Sequence, residues 1–271
     1  MLTFSVVTPC LDPGPLLAET VASVLEQRIV SRQKVGLQYM IIDGGSTDGT
    51  LDYLRSLRDP RIKWISEPDG SMYEALAKGL ADARGDVRSY LNAGDLYHPH
   101  AFEVVADTMP LTDGWLTGMA VTYNQRGDVI DAKVPFRYRR EWFELGMYDG
   151  RILNFLQQES TFWSSEVAAS TDLSPLAHLR LAGDGYLWVQ FAQHVHLSIV
   201  AAHLGGFRLH EGQLSEDLAG YRHELASFTR RPMAHQRALA SVDRTLWYAP
   251  LQVKKRLNPR GLLVWNGDRW G

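Results

Sequence analysis

Short apolar runs alternate with amphipathic stretches along the first 110 residues. Runs rich in β-branched and aromatic residues predict strands at residues 4–8, 39–43, 62–65 and 87–91. Between and after them, helical spacing and start signals predict helices at 16–25, 47–57 and 71–80 and from Pro99 onward. Because strand–helix–strand crossovers are almost always right-handed, this βαβαβαβ pattern predicts a doubly wound, mostly parallel sheet flanked by helices.

Beyond Pro110 the pattern becomes mixed. Antiparallel strands are predicted at 115–123 and 129–134, around a turn at 126–128. A helix is predicted at 136–145 and another that begins at Gly183-Asp184. Shorter strands are predicted at 160–163, 197–201 and 206–209, and a helical stretch from 213 to about 246.

Composition narrows the class of protein without naming it. Of the 271 residues 45% are hydrophobic and 22% are charged, which is ordinary for a globular protein. A net charge of -3 gives no reason to expect a nucleic-acid partner. The single cysteine, Cys10, excludes an intrachain disulfide, and no apolar run approaches a membrane span or a signal peptide. We therefore expect a cytoplasmic protein.

Basic and aromatic residues are interleaved in the last part of the chain. They are Arg244, Trp247, Tyr248, Lys254, Lys255, Arg256, Arg260, Trp265, Arg269 and Trp270. Such a mixture suits peripheral contact with an anionic membrane surface, here the inner face of the cytoplasmic membrane. A tail that packs on the domain and exposes its charged face explains the pattern equally well.

Polar residues follow three of the predicted strands. Thr8-Pro9 ends the first, Asp43 ends the second, and the turn Asn92-Ala93-Gly94-Asp95 follows the fourth. The carboxyl ends of parallel strands meet at one edge of a sheet, where ligands bind. Carboxylate and amide oxygens in such a cleft suit Mn²⁺ or Mg²⁺ held against a diphosphate. Asp43 can accept hydrogen bonds from a base or ribose, or it can cap its own turn.

Two further residues carry candidate chemistry. Asp184 precedes an aromatic run and is either a helix N-cap or a general base with raised proton affinity. His210 follows a predicted strand and is either structural or a contact to metal or diphosphate. A G-x-G-x-x-G fingerprint, a Walker lysine and a G-x-S-x-G serine are absent from the sequence, which argues against dinucleotide, P-loop and hydrolase sites.

An ordered set of segments resembles family 2 of the inverting glycosyltransferases with the GT-A fold. The segments are 5–9, 41–50, 67–73, 91–95, 158–160, Gly183-Asp184 before Leu187-Trp188, and Phe207-Arg208 with His210. The resemblance implies a GT-A domain over 1–212, with a nucleotide-binding half over about 1–110 and an acceptor half over 111–212. A helical, basic and aromatic extension is expected over 213–271.

The resemblance also implies roles for individual residues. Nucleotide or donor contacts are expected from Pro9, Asp43, Glu67, Asp69, Asn92 and Gly94, and sugar or acceptor contacts from Gln158, Glu159 and Trp188. Asp95 and His210 are expected to bind Mn²⁺ or Mg²⁺, and Asp184 is expected to be the base.

Departures from the family pattern change what we expect of metal binding and of the recognition of the nucleotide base. Gly44 stands where many members have a second aspartate, so base recognition falls more heavily on Asp43. Asn92 and Gly94 replace acidic residues and leave Asp95 as the single carboxylate of that motif.

The sequence thus predicts an inverting transfer of a sugar from a nucleotide-sugar donor, with UDP preferred, to a saccharide or lipid-linked saccharide, in bacterial surface polysaccharide synthesis. One alternative is a nucleotidylyltransferase, which normally has a glycine-rich basic loop after its first strand, where this chain has residues 10–15, Cys-Leu-Asp-Pro-Gly-Pro. The other is a non-catalytic protein that binds nucleotide sugars. The sequence does not determine the oligomeric state.

Overall fold

A computed structural model describes residues 1–209, 213 and 216–271. In chain order its strands are β1 (Thr3–Cys10), β2 (Gly36–Asp43), β3 (Ile62–Ser66), β4 (Val87–Tyr90), β5 (Leu96–Tyr97), β6 (Trp115–Thr117), β7 (Ala120–Tyr123), β8 (Val129–Lys133), β9 (Thr161–Ser164), β10 (Ser198–Val200), β11 (Gly205–Arg208) and β12 (Leu262–Leu263). Its helices are α1 (Leu16–Leu25), α2 (Arg28–Ser31), α3 (Thr50–Ser56), α4 (Met72–Asp82), α5 (Ala101–Thr108), α6 (Arg140–Glu144), α7 (Ser165–Ala169), α8 (Gly183–Ala192), α9 (Leu218–Phe228), α10 (Ala234–Leu246) and α11 (Leu251–Leu257).

The strands of the described residues form two sheets. The larger has the order β12-β10-β6-β9-β4-β1-β2-β3, and the smaller has the order β5-β11-β7-β8. In the larger sheet β9 is antiparallel to both of its neighbours, whereas the other neighbouring strands are parallel. The prediction of a doubly wound, mostly parallel sheet is therefore confirmed.

Helices cover both faces of the larger sheet because successive strand residues point to opposite sides. Phe4 and Val6 of β1 belong to the core that includes α1 and α5, whereas Val7 belongs to the core that includes α4 and α8. Tyr39 and Ile42 of β2 divide between the two cores in the same way. Burial on both faces explains why the strands read as nearly continuous apolar runs.

The second half differs from the predicted elements at three places. The predicted strand at 115–123 divides at Gly118, where the chain leaves the larger sheet for the smaller one, and a Cβ there would stand 2.8 Å from the carbonyl of Ala202. The predicted helix at 136–145 shortens to α6, because Phe136 and Tyr138 are buried in the segment before it. The predicted helix at 213–246 is interrupted before α10, where Pro232 lacks a backbone N–H.

The chain after 212 packs on the rest of the protein. The buried Asp243 on α10 forms an ion pair with Arg139, with 2.8 Å between Oδ2 and Nε. Trp247 meets the ring of Tyr138 edge to face at 5.9 Å, and β12 pairs with β10 in the larger sheet. Packing on the domain is one of the two explanations that the sequence left open for this region. Within the described part of the chain, no helix has the length and hydropathy needed to span a bilayer.

Gly79 tests how tightly α4 packs on the sheet. A Cβ at this position would stand 2.3 Å from Cγ1 of Val7. We expect Gly79→Ala to destabilise the protein by about 1–3 kcal/mol through overpacking, offset in part by about 1 kcal/mol of helix propensity. Urea unfolding measures the difference. In a Val7→Ala background the cost should shrink, whereas an equal cost in both backgrounds would contradict this packing.

Candidate active site

The first three strands end level with one another at the carboxyl edge of the larger sheet. Cys10 pairs in register with Asp43, and Asp43 with Ser66. Pro9 is buried opposite Ile42, one position earlier. Strand β4 lies beside β1 and leads into the turn at 92–95. The polar strand ends that the sequence singled out therefore lie along one edge.

The Asp43 side chain is fully buried, and its carboxylate already accepts hydrogen bonds from within the protein. One oxygen accepts the N–H groups of Gly45 at 3.2 Å and Ser46 at 3.1 Å and the hydroxyl of Ser66 at 2.6 Å. The other accepts the hydroxyl of Ser46. Burial raises the pKa of Asp43, but these hydrogen bonds outweigh burial and hold it below its usual value. Asp43 thus fixes the turn after β2.

Asp69 occupies the space beside Gly44. A Cβ at Gly44 would stand 2.8 Å from Oδ2 of Asp69, so an aspartate at position 44 would displace Asp69. Burial raises the pKa of the half-buried Asp69 carboxyl, against the lowering effect of Lys78. Glu67 lies further out and pairs with Lys78 at 2.8 Å. Where many family members have a second aspartate, this chain has Gly44, and the carboxyl group of Asp69 from the neighbouring loop lies beside it.

The turn at 92–95 is held by a residue of α1. Gly94 has φ +109°, a conformation that favours glycine, and its N–H donates to Oγ1 of Thr20 at 2.8 Å. The same hydroxyl donates to the Asp95 carbonyl at 2.9 Å. Oδ1 of Asn92 is buried and has no hydrogen-bond partner within the described residues. The turn therefore presents an unused amide oxygen next to a fixed aspartate.

Asp95 contacts a second buried carboxyl group. Its Oδ1 accepts the backbone N–H of Arg208 at 2.9 Å, and its carboxyl is hydrogen-bonded to Glu159. Burial, followed by the negative charge of Glu159, raises the pKa of Asp95 well above its usual value. Burial also raises the pKa of Glu159. The buried guanidinium of Arg208 pairs with Glu19 at 2.6 Å. This pair of carboxyl groups is a strongly negative site whenever both are ionised.

A divalent cation would complete this site together with a substrate. Within the described residues no three His, Cys, Asp or Glu side chains are grouped so that they hold a metal by themselves. Asp95 and the unpartnered oxygen of Asn92 are the hard ligands that Mg²⁺ and Mn²⁺ accept. His210, the other predicted ligand, lies outside the described residues. The donor set fits an ion that takes its remaining ligands from a diphosphate and water.

Gln158 and Glu159 form a short 3-10 turn before β9. Nε2 of Gln158 donates to Oε1 of Glu159 at 2.5 Å, while the buried Oε1 of Gln158 has no partner within the described chain. Gly205 of β11 packs on this turn so closely that a Cβ would stand 2.1 Å from the Glu159 carbonyl. The structure therefore brings Glu159 next to Asp95.

Asp184 lies in the first turn of α8, half-buried. Its Oδ1 accepts the N–H of Gly185 at 2.6 Å and faces the Tyr73 hydroxyl at 3.5 Å. Burial raises the pKa of Asp184 to about 6, against hydrogen bonds from Gly185, Tyr221 and Tyr73 that lower it. Its charge in turn raises the pKa of Glu159. A carboxylate of this proton affinity is suited to accept a proton near neutral pH.

Trp188 lies deeper than the other predicted sugar contacts. It is 2% exposed, and its indole stacks on Trp115 at 5.9 Å and meets Trp163 edge to face at 6.1 Å. It also lines a small pocket together with Asp184 and Tyr221. Trp188 is part of the aromatic core beside Asp184, and its contact with a sugar stays a prediction.

Several residues of the site were missed by sequence reasoning. Thr20 and Ser66 hold the strand-end turns, and Tyr221 and Glu224 of α9 contact the segment around Asp184. The three-residue spacing of Tyr221 and Glu224 places them on one face of a helix. Nothing in the sequence pattern indicated which segment that face would meet.

Comparisons with known proteins identify the family of this chain. The sequence model of glycosyl transferase family 2 matches residues 5–164. An uncharacterized glycosyltransferase of Mycobacterium tuberculosis is 32% identical over 143 residues, which are 51% of this chain and 52% of that protein. The chain thus spans about half the length of this relative.

Solved structures share the fold at low identity. S. aureus TarS residues 1–349 in complex with UDP has a TM-score of 0.62 at 12% identity, over 94% of this chain and 74% of that one. The mannosyltransferase PcManGT from Pyrobaculum calidifontis, in complex with GDP-Man and Mn²⁺, has a TM-score of 0.56 at 15% identity, over 95% and 72%. Because the family match covers more than half of the sequence, this chain belongs to glycosyl transferase family 2, and it has the GT-A fold.

Proposed function

We propose that the enzyme moves a sugar from a UDP-linked donor to a hydroxyl of a saccharide or lipid-linked saccharide, with inversion at the anomeric carbon. The observation that carries this proposal is Asp184. It is a carboxyl group whose pKa burial raises to about 6, and it interacts electrostatically with Glu159, which touches Asp95. Site groups with strongly shifted proton affinities are typical of acid–base catalysis.

The donor lies along the carboxyl edge of the sheet in this proposal. The complex of TarS with UDP supports the choice of nucleotide. The groups that border the nucleotide and its diphosphate are Pro9, Asp43, Glu67, Asp69, Asn92 and Gly94. Asp43 contributes through the turn that it fixes, since its carboxylate is occupied internally, and Asp69 is the freer carboxylate beside it.

Mn²⁺ or Mg²⁺ is the proposed cofactor. Its protein ligands would be Asp95 and His210, as the sequence predicts, and the unpartnered oxygen of Asn92. The Mn²⁺ in the complex of PcManGT supports it. When bound, the ion neutralises charge on the departing nucleoside diphosphate.

Asp184 removes the proton of the acceptor hydroxyl. The acceptor oxygen forms its bond to the anomeric carbon while the bond from that carbon to the diphosphate oxygen breaks, and the electron pair leaves with the nucleoside diphosphate. Gln158 and Glu159, with Trp188 behind them, orient the sugar, which supplies much of the rate enhancement in reactions of this kind.

The proposed setting is bacterial surface polysaccharide synthesis at the inner face of the cytoplasmic membrane. Leu239 and Val242 of α10 lie three residues apart on one helical face, and each is 56% exposed. Arg237 and Arg244 on the same helix are also exposed. Apolar and basic groups together suit an anionic membrane that carries the acceptor lipid.

Asp184→Asn tests the base. We expect sugar transfer to fall by about 10²–10⁴-fold, because the amide cannot accept the proton, whereas the affinity for UDP should stay near that of the wild type. Product release by chromatography and UDP binding by calorimetry give the two values. Asp172→Asn, at an exposed position, is the control. Transfer by Asp184→Asn at the wild-type rate would refute the assignment.

Asp95→Asn tests the metal site. We expect UDP with Mn²⁺ to raise the melting temperature of the wild type more than UDP alone, by several degrees at about 100-fold excess over Kd. The variant keeps an acceptor for the Arg208 N–H but should lose the Mn²⁺ increment. Asp52→Asn, at an exposed surface position, should keep it. An unchanged increment in Asp95→Asn would exclude Asp95 as a ligand.

Leu239→Ser/Val242→Ser tests the membrane contact. We expect the wild type to sediment with anionic vesicles at low salt and the double variant to bind about tenfold more weakly, since it loses two apolar anchors. Val129→Ser/Ile130→Ser removes equally exposed apolar groups from β8 and serves as the control. Equal binding by all three proteins, or none by the wild type, would contradict the proposal.

A further inference from the structure

Glu224 of α9 binds the backbone that leads into α8, the helix that carries Asp184. Its carboxylate accepts three successive backbone N–H groups, of Arg180 at 2.8 Å, Leu181 at 2.7 Å and Ala182 at 2.6 Å. These residues lead directly into α8, whose N-cap residue Ala182 provides no side-chain cap. A carboxylate near a helix N-terminus is favourable because it faces the positive end of the helix dipole. Glu224 thus holds the backbone that leads into α8.

Tyr221, one turn before Glu224, reaches the base itself. Its hydroxyl lowers the pKa of Asp184, with which it lines one small pocket, and its ring meets Phe155 edge to face at 5.3 Å. A Cβ at Gly185 would stand 3.1 Å from this hydroxyl, so a side chain there would crowd it. The close approach of α9 to the first turn of α8 therefore depends on the absence of a side chain at Gly185, next to Asp184.

Tyr73 of α4 contacts the same carboxylate from another side. Its hydroxyl donates to the Leu181 carbonyl at 3.2 Å and faces Asp184 at 3.5 Å. Its ring lies so close to Gly183 that a Cβ there would stand 2.3 Å from it. Two tyrosine hydroxyls from different helices thus meet at Asp184, while the backbone on either side of Leu181 is held by Tyr73 and Glu224.

We propose that Tyr221 and Glu224 are positioning residues for the general base, so that α9, which lies outside the segment matched by the family, completes the catalytic centre. Tyr221 orients the carboxylate of Asp184, and Glu224 fixes the start of α8 from which that carboxylate projects. This inference rests on the proposed role of Asp184 as the base. Neither residue touches the reacting atoms.

The inference predicts the direction of a pH effect. The titratable groups that interact with Asp184 or its neighbours are Tyr73 on α4, Tyr90 on β4, Glu159 before β9, and Tyr221 and Glu224 on α9. Burial raises the pKa of Asp184 to about 6, and the hydrogen bond from Tyr221 counteracts it. The base works when ionised, so transfer is lost as pH falls through this pKa. Removal of the Tyr221 hydroxyl moves that loss to higher pH.

Tyr221→Phe is the test. We expect the acidic limb of the pH profile of kcat to move up by about half to one pH unit, the equivalent of one hydrogen bond. KM for the donor and the melting temperature should stay near the wild-type values, because the ring is retained. Tyr186→Phe is the matched control, since its hydroxyl on α8 donates to the Asp172 carbonyl at 2.9 Å and not to the base.

Glu224→Ala and Glu224→Gln give a second measurement. We expect kcat of the alanine variant to fall by about tenfold or more, since a tenfold loss corresponds to a modest misplacement of a catalytic group, with UDP affinity retained. The glutamine variant, which keeps one acceptor oxygen, should recover part of this loss. A wild-type acidic limb in Tyr221→Phe, or wild-type kcat in Glu224→Ala, would overturn the inference. Failure of the proposed function would give a different result from failure of this inference. In that case the wild-type protein would transfer no sugar, or Asp184→Asn would remain active.

Discussion

Burial of carboxyl groups at the carboxyl edge of the sheet is the constraint on which the site depends. Asp43, Asp95 and Asp184 are all removed from water to a large degree, and the protein treats each differently. Four hydrogen bonds keep Asp43 ionised in its turn. Burial, and after it the negative charge of Glu159, keeps the pKa of Asp95 high, and burial raises that of Asp184 to about 6 against the lowering effect of hydrogen bonds. A structural anion, a candidate cation site and a candidate base thus arise from one residue type in three environments.

The two halves of the cleft are joined mechanically as well as electrostatically. The Ser71 hydroxyl, at the end of the loop that carries Glu67 and Asp69, donates to the Leu179 carbonyl at 2.8 Å. The same stretch continues through Leu181 to Asp184 and is held by Tyr73 on one side and Glu224 on the other. The loop with Asp69, the first turn of α8 and α9 therefore form one connected unit. Through this unit α9 would act on the proposed chemistry.

The sequence was most informative where structure is set by local patterns. The apolar runs of β1 and β2 and the helical spacing in α1 and α4 follow from burial of the side chains concerned, so these elements of the first half were predicted well. The division of the chain at Gly118 depends on the Ala202 carbonyl, which lies between β10 and β11, and the contact of Glu224 with residues 180–182 depends on how α9 docks. These are tertiary contacts that periodicity does not encode. The family resemblance assigned chemical roles to Asp95 and Asp184. The interaction between Asp95 and Glu159 became visible only in the structure.

The anomeric configuration of the product tests the central claim most directly. A single displacement, with Asp184 as base, predicts that a donor with an α-linked sugar gives a β-linked product from the first turnover, as read from the anomeric coupling constant by NMR. An α-linked product would show retention and would contradict both the single displacement and the role of Asp184.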